Sequence, residues 1–197
     1  MPRPPPPVPD ERHCPRCFLP RHLCLCADIP RLAVRTRVLV VRHCIEAFRT
    51  TNTGRLVCLA LAGADLVDHG RPEFSLKEDD LAIPPGACLL FPAEGGAPLW
   101  TGGCPTLLVV PDGTWPQARR MVRRVPGLAT LPRLSLPPAP EDARPIRRRP
   151  RVGARSTLEA VAGALALWED PEVPAALLRL YERLGRRMDE ARGPRVP

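Results

Sequence analysis

Short apolar runs, each followed by turn-forming residues, set the hydrophobic pattern of this 197-residue chain. Three runs rich in leucine and valine predict buried strands at residues 36–41, 87–91 and 106–110. A weaker strand is expected near residues 65–68. Helical patterns follow the first and the third strand, so the pattern predicts an α/β fold in which helices flank a sheet.

Capping residues mark where the helices after two of these strands should begin. The helix after the first strand can be capped by Asn52 or Thr53 and should run to about residue 64. The helix after the third strand should begin at Thr114, because Gln117 can complete a capping box there.

Two more helices are expected in the C-terminal part of the chain. Ser156 and Glu159 form a second capping box, which should open a helix that extends to Trp168. Pro171 then restarts a final amphipathic helix. The expected packing face of that helix consists of Leu177, Leu178, Tyr181 and Leu184.

The end of the third strand is the most informative junction. The apolar run gives way to Pro111, Asp112 and Gly113, and the helix starts immediately afterwards. The strand therefore delivers Asp112, Thr114 and Trp115 to the carboxyl end of a sheet, beside the positive end of a helix. Ligands bind at this place in open α/β sheets. The alternative interpretation is an ordinary strand-to-helix turn, because the Asp-Gly sequence is common in turns without a function.

Polar or glycine-rich sequence also follows the other two strong strands. His43, Glu46, Arg49 and Asn52 lie between the first strand and its helix, where a solvated loop with a cap is an equally good interpretation. Residues 92–96 follow the second strand, and their two glycines permit close backbone approach to a ligand.

The formal charge of +8 favours a negatively charged partner. Lys77 is the only lysine, so nearly all basic residues are arginines, which bind phosphate in a bidentate manner. A genome of high GC content would explain the excess of arginine over lysine, but not the net charge. A nucleic-acid partner is therefore expected.

The N-terminal part divides into a tail, expected to be disordered, over residues 1–11 and a cysteine-rich segment over residues 12–30. The α/β domain should occupy residues 31–197. No run of apolar residues is long enough to span a membrane, and no signal peptide is visible, so a cytoplasmic location is expected.

Four of the eight cysteines crowd into residues 14–26 and predict a metal site. Soft thiolate ligands favour zinc, and a closed four-ligand site would be structural. The tight C-x-C half leaves room for His13 or His22 to replace one cysteine. The predicted ligands are Cys14, Cys17, Cys24 and Cys26.

Five segments, taken in order, resemble the DTW-domain family of tRNA-uridine aminocarboxypropyltransferases. They are the C-x₂-C…C-x-C knuckle, the H-x-x-E…TNTGRL junction at 43–56, LLFPAEGG at 89–96, DGTWPQAR at 112–119 and STLEA at 156–160. One departure is Cys44, which stands where a proline is expected in the family, and it should affect loop shape rather than chemistry.

The resemblance implies that the chain transfers the 3-amino-3-carboxypropyl group of S-adenosylmethionine to N3 of a uridine in tRNA, releasing methylthioadenosine. It implies a SPOUT-like α/β fold, which can be knotted. The implied co-substrate is S-adenosylmethionine, the implied partner is tRNA, and zinc would be structural. The oligomeric state stays open.

Site residues follow from the resemblance and from the chemistry. Uridine N3 carries a proton that a carboxylate can take; Asp112 is the expected base and Glu46 the second candidate. Thr114 should cap its helix, and Trp115 can stack on a base or pack the helix against the sheet. The expected cofactor pocket comprises Phe91, Pro92, Ala93, Glu94, Gly95, Val110, Pro111, Asp112, Ser156 and Thr157.

The expected RNA contacts are mostly arginines. They comprise Arg49, Asn52, Thr53, Arg55, Arg119, Arg120, Arg123, Arg147, Arg148 and Arg149. Two other functions stay open. A SPOUT-type RNA methyltransferase would transfer the methyl group instead, and a non-catalytic zinc and RNA-binding module would bind RNA without S-adenosylmethionine.

Overall fold

The structure is a computed structural model that describes residues 11–77, 80–93, 98–138 and 155–192. The strands within these ranges are β1 (Arg37–His43), β2 (Ala64–His69), β3 (Ala87–Leu90), β4 (Leu107–Asp112) and β5 (Arg133–Leu134). The helices are α1 (Thr53–Ala60), α2 (Trp115–Arg124), α3 (Thr157–Leu165) and α4 (Glu172–Arg192). Residues 1–10 of the expected tail, Glu94, Gly95 and Arg147 to Arg149 lie outside the described residues.

The strands form one parallel sheet in the order β2-β1-β4-β3-β5. In the central pair, Arg42 of β1 is in register with Asp112 of β4. The expected α/β fold, with helices flanking a sheet and a cysteine-rich N-terminal cluster, is confirmed.

Both faces of the sheet are buried, as a parallel sheet requires. On β1, Val38 and Val40 point to the face covered by α1, α3 and α4, whereas Leu39 and Val41 point to the face covered by α2. We call these the α1 face and the α2 face. Strand β4 alternates in the same way, so the near-continuous apolar runs of the sequence reflect burial on two sides.

The change of face between β1 and β4 fixes where a ligand can bind. The chain leaves β1 for α1 on one face and leaves β4 for α2 on the other. Neighbouring parallel strands whose helices lie on opposite faces leave a crevice outside their carboxyl ends. The carboxyl end of β4 is Asp112, the residue singled out by the sequence.

The cysteine-rich segment is part of the α1 face. Leu19, Leu23 and Leu25 are buried in the same core as the apolar residues of α1, α3 and α4. Asp28 forms salt bridges with Arg183 and Arg187 of α4, which tie the segment to the C-terminal helix.

Three boundaries and one packing residue differ from the expectations. Helix α1 ends at Ala60 instead of near residue 64, because a turn containing Gly63 with a φ of +82° leads directly into β2. Helix α3 ends at Leu165, and β1 extends to His43. The assignment of Leu178 to the packing face was wrong: its side chain is exposed.

The buried residues of the final helix include Val173, Ala176, Leu177, Leu180, Tyr181 and Leu184. Among the described residues, no helix combines the length and the apolar character needed to cross a membrane.

Candidate functional site

A cavity of about 410 Å³ lies at the carboxyl ends of β3, β4 and β5, beside the first residues of α2 and α3. Its volume falls within the range of roughly 300–1,000 Å³ that is typical of small-molecule sites. Seven residues expected to bind a cofactor or to act in catalysis line it, namely Phe91, Pro92, Val110, Pro111, Trp115, Ser156 and Thr157.

Not every residue expected at the pocket lines this cavity. Ala93 and Asp112 are described but do not line it, while Glu94 and Gly95 lie outside the described residues. The sequence interpretation missed the segment from Leu134 to Pro138, which forms a further wall. That segment follows the two-residue strand β5, whose shortness hid the strand-end pattern.

Two aromatic rings form an apolar wall of the cavity. The ring centroids of Phe91 and Trp115 are 5.7 Å apart, and the ring planes are tilted by 53°. Trp115 can stand at the cavity because the first turn of α2 begins directly after the strand. Gln117 Oε1 accepts a hydrogen bond from the Thr114 N–H at 2.7 Å, which supports the predicted start of that helix.

Asp112 is buried beside the cavity, and both of its carboxylate oxygens accept hydrogen bonds. The Asn52 side-chain amide donates to Oδ2 at 2.6 Å, and the Thr157 hydroxyl donates to Oδ1 at 2.5 Å. Asn52 caps α1 and Thr157 is the first residue of α3. We call Asp112, Asn52 and Thr157 the Asp112 cluster, which joins β4 to the first turns of two helices.

Burial raises the pKa of Asp112, and the charge of Glu46 adds to this effect. The hydrogen bonds from Thr157 and Asn52 lower the pKa, as does Arg42, but burial prevails. A carboxylate with a raised pKa binds a proton more readily than an ordinary aspartate, which is the property that a general base near neutral pH needs.

Gly54 is a site residue that the sequence interpretation missed. A Cβ atom at this position would lie 2.5 Å from Asp112 Oδ2 and 3.1 Å from a methyl carbon of Val40. Only glycine lets the first turn of α1 approach the carboxylate so closely. Glycine is a poor residue inside a helix, and its place in the second position of α1 was the available signal.

Three residues expected to contact RNA are instead engaged inside the protein. Asn52 is buried; in addition to its bond to Asp112, its Oδ1 accepts the Arg55 N–H at 3.0 Å. Thr53 is also buried, and its hydroxyl accepts the Leu158 N–H at 3.4 Å. Arg55 donates to the Ala47 carbonyl at 2.6 Å, and burial lowers its pKa to about 10.

These contacts show that Asn52, Thr53 and Arg55 help to position the start of α1. Contact of these residues with RNA stays a prediction. Other expected RNA contacts lie on the surface, and these exposed arginines are Arg49, Arg119, Arg120 and Arg123.

His43 and Glu46 lie where β1 ends, and a Cβ atom at Gly113, which lines the cavity, would be 3.3 Å from His43 Cβ. His43 Nδ1 accepts the Ile45 N–H at 3.3 Å and so caps a short 3₁₀ turn, Cys44–Phe48. Burial lowers the pKa of His43; Glu46 opposes this effect, while Arg120 and Arg71 contribute to it. Glu46 is itself buried in this turn.

A cationic side chain lines the cavity directly before the start of α3. Ser156 and Glu159 form the predicted capping box, with Ser156 Oγ accepting the Glu159 N–H at 3.2 Å. Arg155 lines the cavity directly before this cap and donates to the carbonyls of Pro137 and Pro138 at 3.2 and 3.3 Å. Its buried Nε has no hydrogen-bond partner within the part of the chain that the structure describes.

The four predicted cysteine ligands converge on one point. The sulfur atoms of Cys14, Cys17, Cys24 and Cys26 all lie within 4.8 Å of one another. Cys14 Sγ is 3.5 Å from Cys26 Sγ, and Cys17 Sγ is 3.7 Å from Cys24 Sγ. Tetrahedral zinc with Zn–S bonds of about 2.3 Å separates its sulfur ligands by about 3.8 Å, so this cluster could bind such a metal.

The chain is an α/β protein with a cavity at the carboxyl ends of its parallel strands, the place where ligands bind in open α/β sheets. A family model described as the DTW domain matches residues 11–189, and the chain therefore belongs to the DTW-domain family.

Several curated relatives align with most of the chain. It is 30% identical over 183 residues to tRNA-uridine aminocarboxypropyltransferase 2 of Drosophila melanogaster, covering 87% of this chain and 73% of that protein. It is 28% identical to the Mus musculus protein of the same name and 26% identical to that of Macaca fascicularis. Each of those alignments covers 87% of this chain but only 61% of the relative. No solved structure gives a significant match.

Replacing Gly54 with alanine tests the close packing of α1 against Asp112. Alanine favours a helix over glycine by about 0.8–1 kcal/mol. We nevertheless expect a net loss in the free energy of unfolding of roughly 1–2 kcal/mol, because the added Cβ must displace Asp112 or the helix. Urea-induced unfolding of Gly54→Ala measures this change.

The matched control is Gly103→Ala, because a Cβ atom there meets no heavy atom within 4 Å. Its effect should stay within about 0.5 kcal/mol. An equal or higher stability of Gly54→Ala relative to the wild type would contradict the packing described here.

Proposed function

We propose that this protein transfers the 3-amino-3-carboxypropyl group of S-adenosylmethionine to N3 of a uridine in tRNA, releasing methylthioadenosine. The main support is the Asp112 cluster beside a ligand-sized cavity, in a chain that belongs to the DTW-domain family. The names of the relatives support the same reaction.

The residues of the cavity fit S-adenosylmethionine in size and character. The apolar wall of Phe91 and Trp115 suits an adenine ring. The amino-acid end would meet Arg155 and the first turn of α3, where a carboxylate is favoured. When bound, S-adenosylmethionine supplies a sulfonium whose three attached carbons are electrophilic, so placement must select the carbon that reacts.

We propose that Asp112 is the base. It would accept the proton of uridine N3 while the new N3–carbon bond forms and the carbon–sulfur bond breaks. A carboxylate has about four acceptor positions, so its two hydrogen bonds leave capacity for that proton. Glu46 stays the second candidate, because it lies buried on the β1 side of Asp112.

Surface arginines would hold the tRNA backbone. Arg49, Arg120 and Arg123 are exposed, and phosphate contacts of this kind give affinity that falls with rising salt. We also propose that the parallel sheet is of the SPOUT-like type. The knot that the resemblance implies stays a prediction.

Product analysis separates the proposed reaction from its alternatives. Unmodified tRNA is incubated with the protein and S-adenosylmethionine, digested to nucleosides and analysed by mass spectrometry. Aminocarboxypropyluridine is the expected product. Methyluridine would indicate an RNA methyltransferase, and RNA binding without any product would indicate a binding module.

Replacing Asp112 with asparagine tests the base. We expect transfer to fall by about 10²–10⁴-fold, because asparagine cannot accept the proton. Affinity for S-adenosylmethionine should change little, since Asp112 does not line the cavity. In the wild type the rate should fall as the pH drops through the raised pKa of Asp112, because the base must be ionised.

A fully active Asp112→Asn variant would remove Asp112 from the mechanism. A variant that loses activity together with affinity for S-adenosylmethionine, and keeps the wild-type pH profile, would show that Asp112 only positions other groups. Isothermal titration calorimetry and initial rates between pH 4 and pH 8 distinguish these results.

Replacing Arg155 with methionine tests which part of the ligand this arginine meets. We expect affinity for S-adenosylmethionine to fall by about tenfold or more, as a hydrogen bond to a charged group is lost. Affinity for methylthioadenosine, which lacks the amino-acid group, should stay within about twofold. Arg155→Lys should retain part of the preference because it keeps the charge. An equal loss for both ligands in Arg155→Met would contradict this assignment.

We propose that the cysteine cluster holds a structural zinc ion. Its position in the core of the α1 face means that metal loss should destabilise the whole fold. Freshly purified, reduced protein should contain about one zinc per chain by elemental analysis. Cys24→Ser should lower the zinc content and the melting temperature, whereas Cys104→Ser, outside the cluster, should not. Zinc-free wild-type protein that is fully folded would contradict the proposal.

A further inference from the structure

Phe48 is an aromatic side chain in an unusual position. Its side chain is 60% exposed, and no other aromatic residue among those the structure describes falls in the exposed class. Ile45, on the same 3₁₀ turn, is 41% exposed. Aromatic residues make up only 4% of the chain, and the other described ones are buried or half-buried, so the exposure of Phe48 is exceptional here.

The turn that carries Phe48 is held firmly. His43 Nδ1 accepts the Ile45 N–H at its start, and the Arg49 N–H donates to the Glu46 carbonyl at 3.1 Å at its end. The Arg55 guanidinium donates to the Ala47 carbonyl, and Cys44, Glu46 and Ala47 are buried. The exposure of Phe48 is therefore built into the turn, as in a preorganised binding surface.

The segment between β1 and α1, residues 44–52, begins and ends beside Asp112. The loop leaves β1 after Arg42, which is in register with Asp112, and reaches α1 at Asn52, which donates a hydrogen bond to Asp112. The cavity lies on the β3 and β5 side of Asp112, whereas Phe48 lies on the β1 side. Strand β4, which carries the proposed base, lies between β1 and the strands β3 and β5 at the cavity.

The surroundings of the turn are cationic. Arg49 follows Phe48 directly and is exposed. Arg71 and Arg120 lie close enough to His43, the residue that caps the turn, for their charges to influence it. An aromatic ring among arginines suits a nucleobase joined to phosphates, because aromatic rings stack on bases and arginines bind phosphate.

We propose that Phe48 is a stacking platform for an unpaired base of the RNA substrate next to the modified uridine, with Arg49 contacting the adjoining phosphate. This inference rests on the proposed function, because it takes tRNA as the partner. It assigns the β1 side of Asp112 to the RNA and the opposite side to the small co-substrate.

Fluorescence anisotropy with labelled, unmodified tRNA tests the platform in three full-length variants. Phe48→Ala should weaken binding by about 5- to 100-fold, the range for loss of one base–aromatic stack. Phe48→Trp should bind at least as tightly as the wild type. Leu167→Ala is the matched control, because Leu167 is also 60% exposed but follows the far end of α3, and it should bind normally.

Salt dependence distinguishes stacking from phosphate contact. Phe48→Ala should keep the wild-type slope of log affinity against log salt, whereas Arg49→Ala should reduce that slope by about one. Affinity for S-adenosylmethionine should stay unchanged in both variants.

Wild-type tRNA affinity in Phe48→Ala would overturn the platform while leaving the proposed transferase intact. A change in oligomeric mass of Phe48→Ala by sedimentation, with normal tRNA binding, would overturn it in favour of a contact between protein chains. A wild-type protein that neither binds nor modifies tRNA would overturn the proposed function and this inference together.

Discussion

The candidate site depends on one buried carboxylate. Taking Asp112 out of water is unfavourable, and the hydrogen bonds from Asn52 and Thr157 offset that cost. The same two bonds join the end of β4 to the first turns of α1 and α3. These two turns also contact each other directly, through Thr53 and Leu158, which are 105 positions apart in the sequence. One interaction therefore sets both the local electrostatics and the mutual placement of three elements.

The topology makes this arrangement possible. Because β1 and β4 are adjacent and their helices lie on opposite faces, the sheet leaves a crevice at the residue where β4 ends. Gly54 removes the Cβ that would otherwise separate α1 from the carboxylate. The site then has two sides: a cavity with aromatic walls toward β3 and β5, and a firmly held turn with exposed Phe48 toward β1.

Local features of the sequence were sufficient to predict β1 to β4, the helix starts and the cysteine cluster, but not the two-residue strand β5. The capping box of Ser156, for example, depends on residues three positions apart. Contacts between distant segments could not be predicted in this way. Asn52 was expected to cap a helix and to contact RNA, but nothing in the sequence indicated its hydrogen bond to Asp112, which is 60 positions away. The bond between Asp112 and Thr157 likewise spans 45 positions.

A double-mutant cycle on Asp112→Asn and Thr157→Val tests the central claim most directly. Unfolding free energies of the wild type, both single variants and the double variant give the coupling between the two side chains. If the carboxylate holds α3 in place, the coupling should be about 0.5–3 kcal/mol. Effects that add to within about 0.3 kcal/mol would contradict the claim that the Asp112 cluster assembles the site.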